Sequence, residues 1–182
     1  MTLLDGMAYI AKEEDPSVDM EELKSRVAAL SKGLRIPEKS TLFEKVARLN
    51  QHMFIELGFH GNSVDYYHPR NSLLHVILDT RQGLPIALSA LYMEVAHQVD
   101  FEILGIGAPG HFVVQPREAT DPVFYIDPFH RGKIITQDEM TRSLEQRFGS
   151  GNSFEKALRP YDTPQILFRM SVNLLNSHGR NR

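Results

Sequence analysis

The stretch that most constrains this chain lies between residues 83 and 99, GLPIALSALYMEVAHQV. Glu94 is its only carboxylate or ammonium side chain, and most of the other residues are apolar. A surface helix shows one apolar stripe, whereas a helix that is apolar all round must be covered on every side. Pro85 suits the first helical position, because that position needs no N–H and its φ angle is already set. We therefore predict a buried central helix over residues 84–98.

Composition and charge exclude several classes of function. The 182 residues carry a net charge of −3 without any block of like charge, which argues against a nucleic-acid partner. Cysteine is absent, so disulfides, thiolate zinc sites and a cysteine nucleophile are excluded. The opening residues lack the basic segment of a signal peptide, and the central helix is too short to cross a membrane. We expect a cytoplasmic protein without a membrane partner.

Helix patterns dominate both ends of the chain, and strand patterns lie between them. Apolar residues recur at helical spacing three times within residues 1–58 and once more at 72–79. Strands that short turns separate are typically antiparallel. Segments typical of such strands follow the central helix, at residues 101–107, 111–115, 123–127 and 133–135.

The order of helices, strands and helices predicts an α+β fold rather than alternating βαβ units. We expect one domain over residues 1–182. Its predicted parts are N-terminal helices in 1–58, the core helix and sheet in 59–135, and C-terminal helices in 136–182, with a flexible link at 149–153.

Two polar motifs follow the central helix, PGHF at 109–112 and YIDPF at 125–129. If their strands form a hairpin, the start of one lies beside the end of the other, so that His111 and Asp127 face each other. A carboxylate that orients an imidazole is half of a His-assisted nucleophilic site. In the alternative, His111 only ends a strand and Asp127 caps a turn through its own backbone.

The start of the central helix is the place where a nucleophile would complete a site with His111 and Asp127. Helix N-termini stabilise a thiolate or an oxyanion, yet this one carries Gly-Leu-Pro-Ile and no nucleophile. Ser89 is the nearest hydroxyl in sequence, one turn inside the helix. The alternative for Ser89 is a hydrogen bond back to the carbonyl of Pro85.

A loop before the central helix concentrates aromatic and polar side chains. Tyrosine and arginine are enriched at binding hot spots, so we expect a binding role for Tyr66, Tyr67, Arg70 and Asn71. The alternative is a loop packed over the edge of the core. The histidines show no known metal-ligand spacing, and we expect neither a metal nor another cofactor.

The segment RQGLPIALSALYMEVAHQVDFEILGIGAPGHFVVQP and the later FYIDPFHRGKIIT resemble the transglutaminase-like core, in its bacterial SirB-type branch. The similarity extends over about residues 40–176. It implies a papain/transglutaminase-like fold, with a buried central helix packed on a small antiparallel sheet. In that superfamily a Cys opens the helix, and a His and an Asp lie on adjacent strands. The resemblance implies that His111 and Asp127 are these two residues, and that the nucleophile position falls at about Pro85.

The missing cysteine leaves two functional hypotheses. The first is a non-catalytic protein-binding or regulatory module with a protein or peptide partner; the family resemblance includes an animal F-box adaptor. The second is a hydrolase or acyltransferase that uses His111 and Asp127 with water or Ser89. Because SirB-type chains often continue into tetratricopeptide-like helices, we also expect a short-form or truncated member.

Overall fold

The fold is built around helix α5, Pro85–His97. It is seen in a computed structural model that describes residues 1–149, 154 and 157–180. Every residue of α5 from Pro85 to Tyr92 is buried. The N-terminal helices, the sheet and the last helix all pack against it. The prediction of a central helix covered on every side is therefore confirmed, and residues 150–153 of the predicted link lie outside the described part.

Three helices precede the core, as predicted for residues 1–58. Capping boxes fix two of their starts: the hydroxyls of Thr2 and Thr41 each accept the backbone N–H three residues on, and their own backbone N–H groups donate to the carboxylates of Asp5 and Glu44. The third helix ends in one π-helical turn. These elements are α1 Leu3–Glu14, α2 Met20–Leu30, α3 Leu42–Asn50 and the π-helical turn Gln51–Glu56.

The sheet has five antiparallel strands in the order β6-β5-β4-β3-β7. Four of them match predicted strands, and the last lies in a stretch where no strand was predicted. A separate parallel pair joins two residues of the predicted loop to two residues that lie between the predicted helix at 72–79 and the central helix. The strands are β1 His60–Gly61, β2 Gln82–Gly83, β3 Ile103–Ile106, β4 Val113–Pro116, β5 Phe124–Asp127, β6 Lys133–Thr136 and β7 Pro160–Tyr161.

Alternation along the strands divides the apolar side chains between two layers. Val114 and Ile126 join the main core with α5, whereas Val113 and Tyr125 pack on the opposite face with Met140. A period of two along a strand produces this division. The remaining elements are a 3₁₀ turn Pro69–Ser72, α4 Leu74–Thr80, a 3₁₀ turn Pro128–His130, α6 Gln137–Phe148 and α7 Thr163–Arg180. The α+β prediction is confirmed, and no helix in the described ranges is long and apolar enough to span a membrane.

A partly buried chain of hydrogen bonds joins α5 to the loop after β5. The hydroxyl of Tyr92 donates to Oδ1 of Asn50 at 2.9 Å, and Nδ2 of Asn50 donates to the carbonyl of Gly132 at 2.9 Å. Gly132 has φ +75°, and a Cβ there would lie 2.4 Å from Oδ1 of Asn50. Only glycine fits this close approach without displacing the amide.

We expect Tyr92→Phe to lower the free energy of unfolding by about 1–2 kcal/mol, because Oδ1 of Asn50 loses its donor in a desolvated position. Urea denaturation measures the change. Tyr9→Phe is the matched control, since Tyr9 is 55% exposed, and it should change stability by less than about 0.5 kcal/mol. Equal effects of the two substitutions would contradict this account.

Candidate functional site

One buried carboxylate organises the polar site at the end of β5. Asp127 is 3% exposed, and its Oδ2 lies 2.7 Å from Nε2 of His111 and 2.7 Å from Nδ1 of His130. Because a carboxylate only accepts, both ring nitrogens donate to it. Burial acts to raise the pKa of Asp127, but the hydrogen bonds and charges of His111 and His130 outweigh it, so the pKa lies below its usual value.

His111 reaches Asp127 from a turn and not from within the strand ladder. The register pairs Val114 with Ile126, which places Val113 level with Asp127 and His111 before β4 begins. Gly110 has φ +70°, and the N–H of His111 donates to the carbonyl of Ala108 at 3.1 Å. The structure therefore brings together the predicted pair, although the predicted strand at 111–115 starts two residues later.

His130 completes the site, and sequence reasoning missed it. Asp127 caps the 3₁₀ turn that follows it, accepting the N–H of His130 at Oδ1 over 3.2 Å. The same turn brings the imidazole back onto Oδ2. Both interpretations of Asp127 thus hold at once, since it caps a turn and also binds His111. The Asp-x-x-His spacing after a strand was the available signal.

Arg169 is the second residue that sequence reasoning missed. Its Nη2 donates to the carbonyls of Ala108 at 3.1 Å and His111 at 2.7 Å. Its guanidinium carbon also lies 5.4 Å from the centroid of the Phe112 ring and 5.9 Å from that of Tyr161, within cation–π range. Arg169 therefore fixes the turn that carries His111. The signal was a cation on the apolar side of an amphipathic helix, where a charge needs a partner.

The start of α5 faces His111 across a small cavity. Pro85 is the first residue of the helix, and Leu84 precedes it without a side-chain cap. Pro85 and His111 line a cavity of about 140 Å³, together with Tyr66 and Arg169. The predicted nucleophile position therefore lies beside the imidazole, and it presents a pyrrolidine ring without a reactive atom.

Ser89 does not lie at this site. It is fully buried, and its hydroxyl has no hydrogen-bond partner among the described residues. The expected bond to the carbonyl of Pro85 is therefore not formed. Ser89 is also absent from the described residues that line the cavities beside His111.

A larger cavity of about 520 Å³ opens on the other side of the His111–Asp127 pair. Lys133, Arg142 and Arg147 contribute positive charge to its wall, and Glu139 contributes negative charge. The uncharged lining is mostly apolar, namely Ala108, Pro109, Ile135, Met140 and Leu144, with the polar residues Ser143 and Gln146. The cavity is thus suited to a group that is negatively charged on one side and apolar on the other.

The predicted binding loop meets the site through its tyrosines. The Tyr66 ring lies 5.7 Å from the Phe129 ring in an edge-on arrangement, and burial raises the pKa of its phenol. Tyr67 is 51% exposed, and with Tyr66 and Asn173 it lines a further cavity of about 260 Å³. Tyr66 borders both this cavity and the smaller one at Pro85.

The other two residues of the predicted loop have different surroundings. Nδ2 of Asn71 donates to the carbonyls of Asp65 at 2.6 Å and Tyr66 at 3.2 Å, so its amide holds the loop together. Arg70 is exposed and is not among the described residues lining the three cavities around His111 and Tyr66. The structure therefore brings only the two tyrosines to the site.

A family model described as the transglutaminase-like superfamily matches residues 15–172. The chain belongs to the transglutaminase-like superfamily. A UPF0162 protein of Xylella fastidiosa strain 9a5c is 31% identical over 180 residues, which cover 96% of this chain and 64% of the relative. A UPF0162 protein of Vibrio cholerae is 26% identical over 175 residues, or 93% of this chain and 63% of the relative.

A third superfamily relative is mouse F-box only protein 21, 36% identical over 135 residues, which cover 70% of this chain and 21% of the relative. The chain spans 64% of the length of the Xylella relative. The bacterial relatives agree with the SirB-type resemblance, and the family confirms the fold expected for the central helix and sheet. No solved structure matches the chain.

We expect Arg169→Ala to loosen the turn at residues 108–111. Loss of two charge-assisted hydrogen bonds should lower the free energy of unfolding by about 1.5–3 kcal/mol and speed amide exchange of His111, measured by NMR hydrogen exchange. Arg48→Ala, which removes an exposed arginine, is the control. Unchanged exchange at His111 in Arg169→Ala would show that Arg169 does not position this turn.

Proposed function

We propose that this chain is a binding module of the transglutaminase-like superfamily that holds an acidic peptide or protein segment without covalent chemistry. The observation that carries the proposal is that a proline, Pro85, occupies the expected nucleophile position. It lines the same small cavity as His111, at the position where the superfamily resemblance expects a nucleophile. His111 and Asp127 form their pair, but the described residues that line this small cavity include no cysteine, serine or threonine.

The charge around the larger cavity supports an acidic segment as the partner. Lys133, Arg142 and Arg147 outnumber the wall residue Glu139 and the buried Asp127. A positive wall attracts carboxylates, and complementary charge contributes specificity and association rate. The apolar residues that line the same cavity can accept an aliphatic side chain of the same segment, as expected for a site that combines an apolar core with a polar rim.

The tyrosine side of the site offers a second contact surface. Tyr66 and Tyr67 pack edge to face at 5.1 Å between ring centroids, beside Asn173 and Asn176. Tyrosine rings give a large contact area at a low entropic cost, and amide side chains can both donate to and accept from a peptide backbone. A segment crossing from the tyrosines past His111 into the larger cavity would use both surfaces.

The relatives support the idea of a module within longer proteins. The matching segment is 64% of the Xylella relative, and a shorter matching segment is 21% of mouse F-box only protein 21. A fold that occurs within chains of such different lengths is suited to a recognition task that other segments can exploit.

The test is a fluorescence-anisotropy screen of labelled acidic peptides, with basic peptides of equal length for comparison. We expect acidic peptides to bind selectively, and Arg142→Ala/Arg147→Ala to weaken that binding at least about tenfold, or 1.4 kcal/mol. The matched control is Arg48→Ala/Lys39→Ala, which removes the same charge from exposed positions. Equal weakening by both double variants, or no preference for acidic peptides, would contradict the proposal.

A hydrolase is the second candidate, and one observation favours it. Asp127 accepts a hydrogen bond from the Nε2–H of His111, which leaves Nδ1 of the neutral ring as the base, the arrangement that general-base activation of water requires. Turnover of activated esters or amides that is lost in His111→Ala and kept in Ser89→Ala would establish this candidate. No turnover dependent on His111 is expected from a binding module.

A further inference from the structure

We propose that His111, Asp127 and His130 bind one divalent transition-metal ion, with Zn²⁺ as the ion to test. Each residue offers one ligand atom, and the three atoms all lie within 4.8 Å of one another. The proposal goes beyond peptide binding and does not depend on it. It assigns a cation to the point where the two imidazoles already converge.

The donor set fits such an ion. Imidazole nitrogens suit Zn²⁺ and its neighbours in the first transition row, and two imidazoles with one carboxylate form a known class of site with open positions. Because the chain contains no cysteine, thiolate ligands are excluded. A metal ion in this cleft would therefore be held by nitrogen and oxygen ligands.

The geometry requires only a small opening. Ligands about 2.1 Å from a tetrahedral ion stand about 3.4 Å apart, whereas Nε2 of His111 and Nδ1 of His130 now each lie 2.7 Å from Oδ2 of Asp127. Each contact must therefore lengthen by about 0.7 Å. His111 lies in a turn next to Gly110, and His130 ends a short 3₁₀ turn, so both rings can move while Asp127 stays in its strand.

The protons balance without any further reactant. In the hydrogen-bonded form each neutral ring carries its proton on the nitrogen that faces Asp127. When the ion takes that nitrogen, the proton moves to the other ring nitrogen, which is Nδ1 of His111 and Nε2 of His130. Asp127 keeps its negative charge throughout. It loses two N–H donors, and the ion gains two imidazole lone pairs and the carboxylate as ligands.

The cleft lets an ion reach the three ligands from solvent, and it leaves one coordination position open. The His130 side chain is 60% exposed and that of His111 is 20% exposed, and all three residues line the cavity of about 520 Å³. Three protein ligands with a free fourth position are typical of reactive zinc sites. The surrounding cations Lys133, Arg142 and Arg147 oppose a bare cation and favour an anionic fourth ligand, such as the carboxylate of a bound segment.

The test is calorimetric titration of the chelator-treated full chain with Zn²⁺, in the absence of peptide. We expect one ion per chain, and at least a tenfold loss of affinity in His130→Ala, whose ring is exposed and whose removal should leave the fold intact. His97→Ala, at an exposed position at the end of α5, is the matched control and should bind as the unmodified chain does.

A thermal shift distinguishes binding from unfolding. Zn²⁺ should raise the Tm of the unmodified chain and of His97→Ala, but not that of His130→Ala, because an ion that binds only the folded state stabilises it. Absence of stoichiometric binding, or equal affinity in His130→Ala, would overturn the metal site. Neither result affects the peptide proposal, which is tested through Arg142 and Arg147.

Discussion

The burial of helix α5 on every side is the constraint on which the other parts of the structure depend. The N-terminal helices, one face of the sheet and α7 all cover it, so its first residue is fixed relative to each of them. Tyr92 also connects the helix by hydrogen bonds, because its hydroxyl donates to Asn50, and Asn50 donates to the carbonyl of Gly132. The central helix thereby positions both the small cavity at Pro85 and the loop that follows His130.

The polar site at the end of β5 is organised by one buried carboxylate. Oδ2 of Asp127 accepts from both His111 and His130, and a buried carboxylate needs such partners to remain charged. Arg169 fixes the His111 turn from the opposite side. A fixed turn suits recognition of a ligand, because a preorganised site loses little entropy when it binds.

Sequence patterns predicted those features that depend on local chemistry or on the family resemblance. The apolar run around Leu88 predicted the central helix, and the motifs at His111 and Asp127 predicted the pair. The contacts of His130 depend on the geometry of a turn, and those of Arg169 depend on how a helix distant in sequence packs against the turn at His111. The periodicity of apolar residues predicts neither. The strand at Pro160–Tyr161 was missed because two residues carry no alternation. Whether the N-terminal, core and C-terminal parts make one domain stays a prediction.

The most direct measurement places a thiol at Pro85 and follows its alkylation by iodoacetamide against pH. Because the chain contains no other cysteine, the rate reports Pro85→Cys alone. If this position faces His111 at a helix start, the thiol should ionise below its usual pKa of about 8.5. It should then react near pH 6 at least tenfold faster than in Pro85→Cys/His111→Ala. Identical pH profiles with and without His111 would contradict the account.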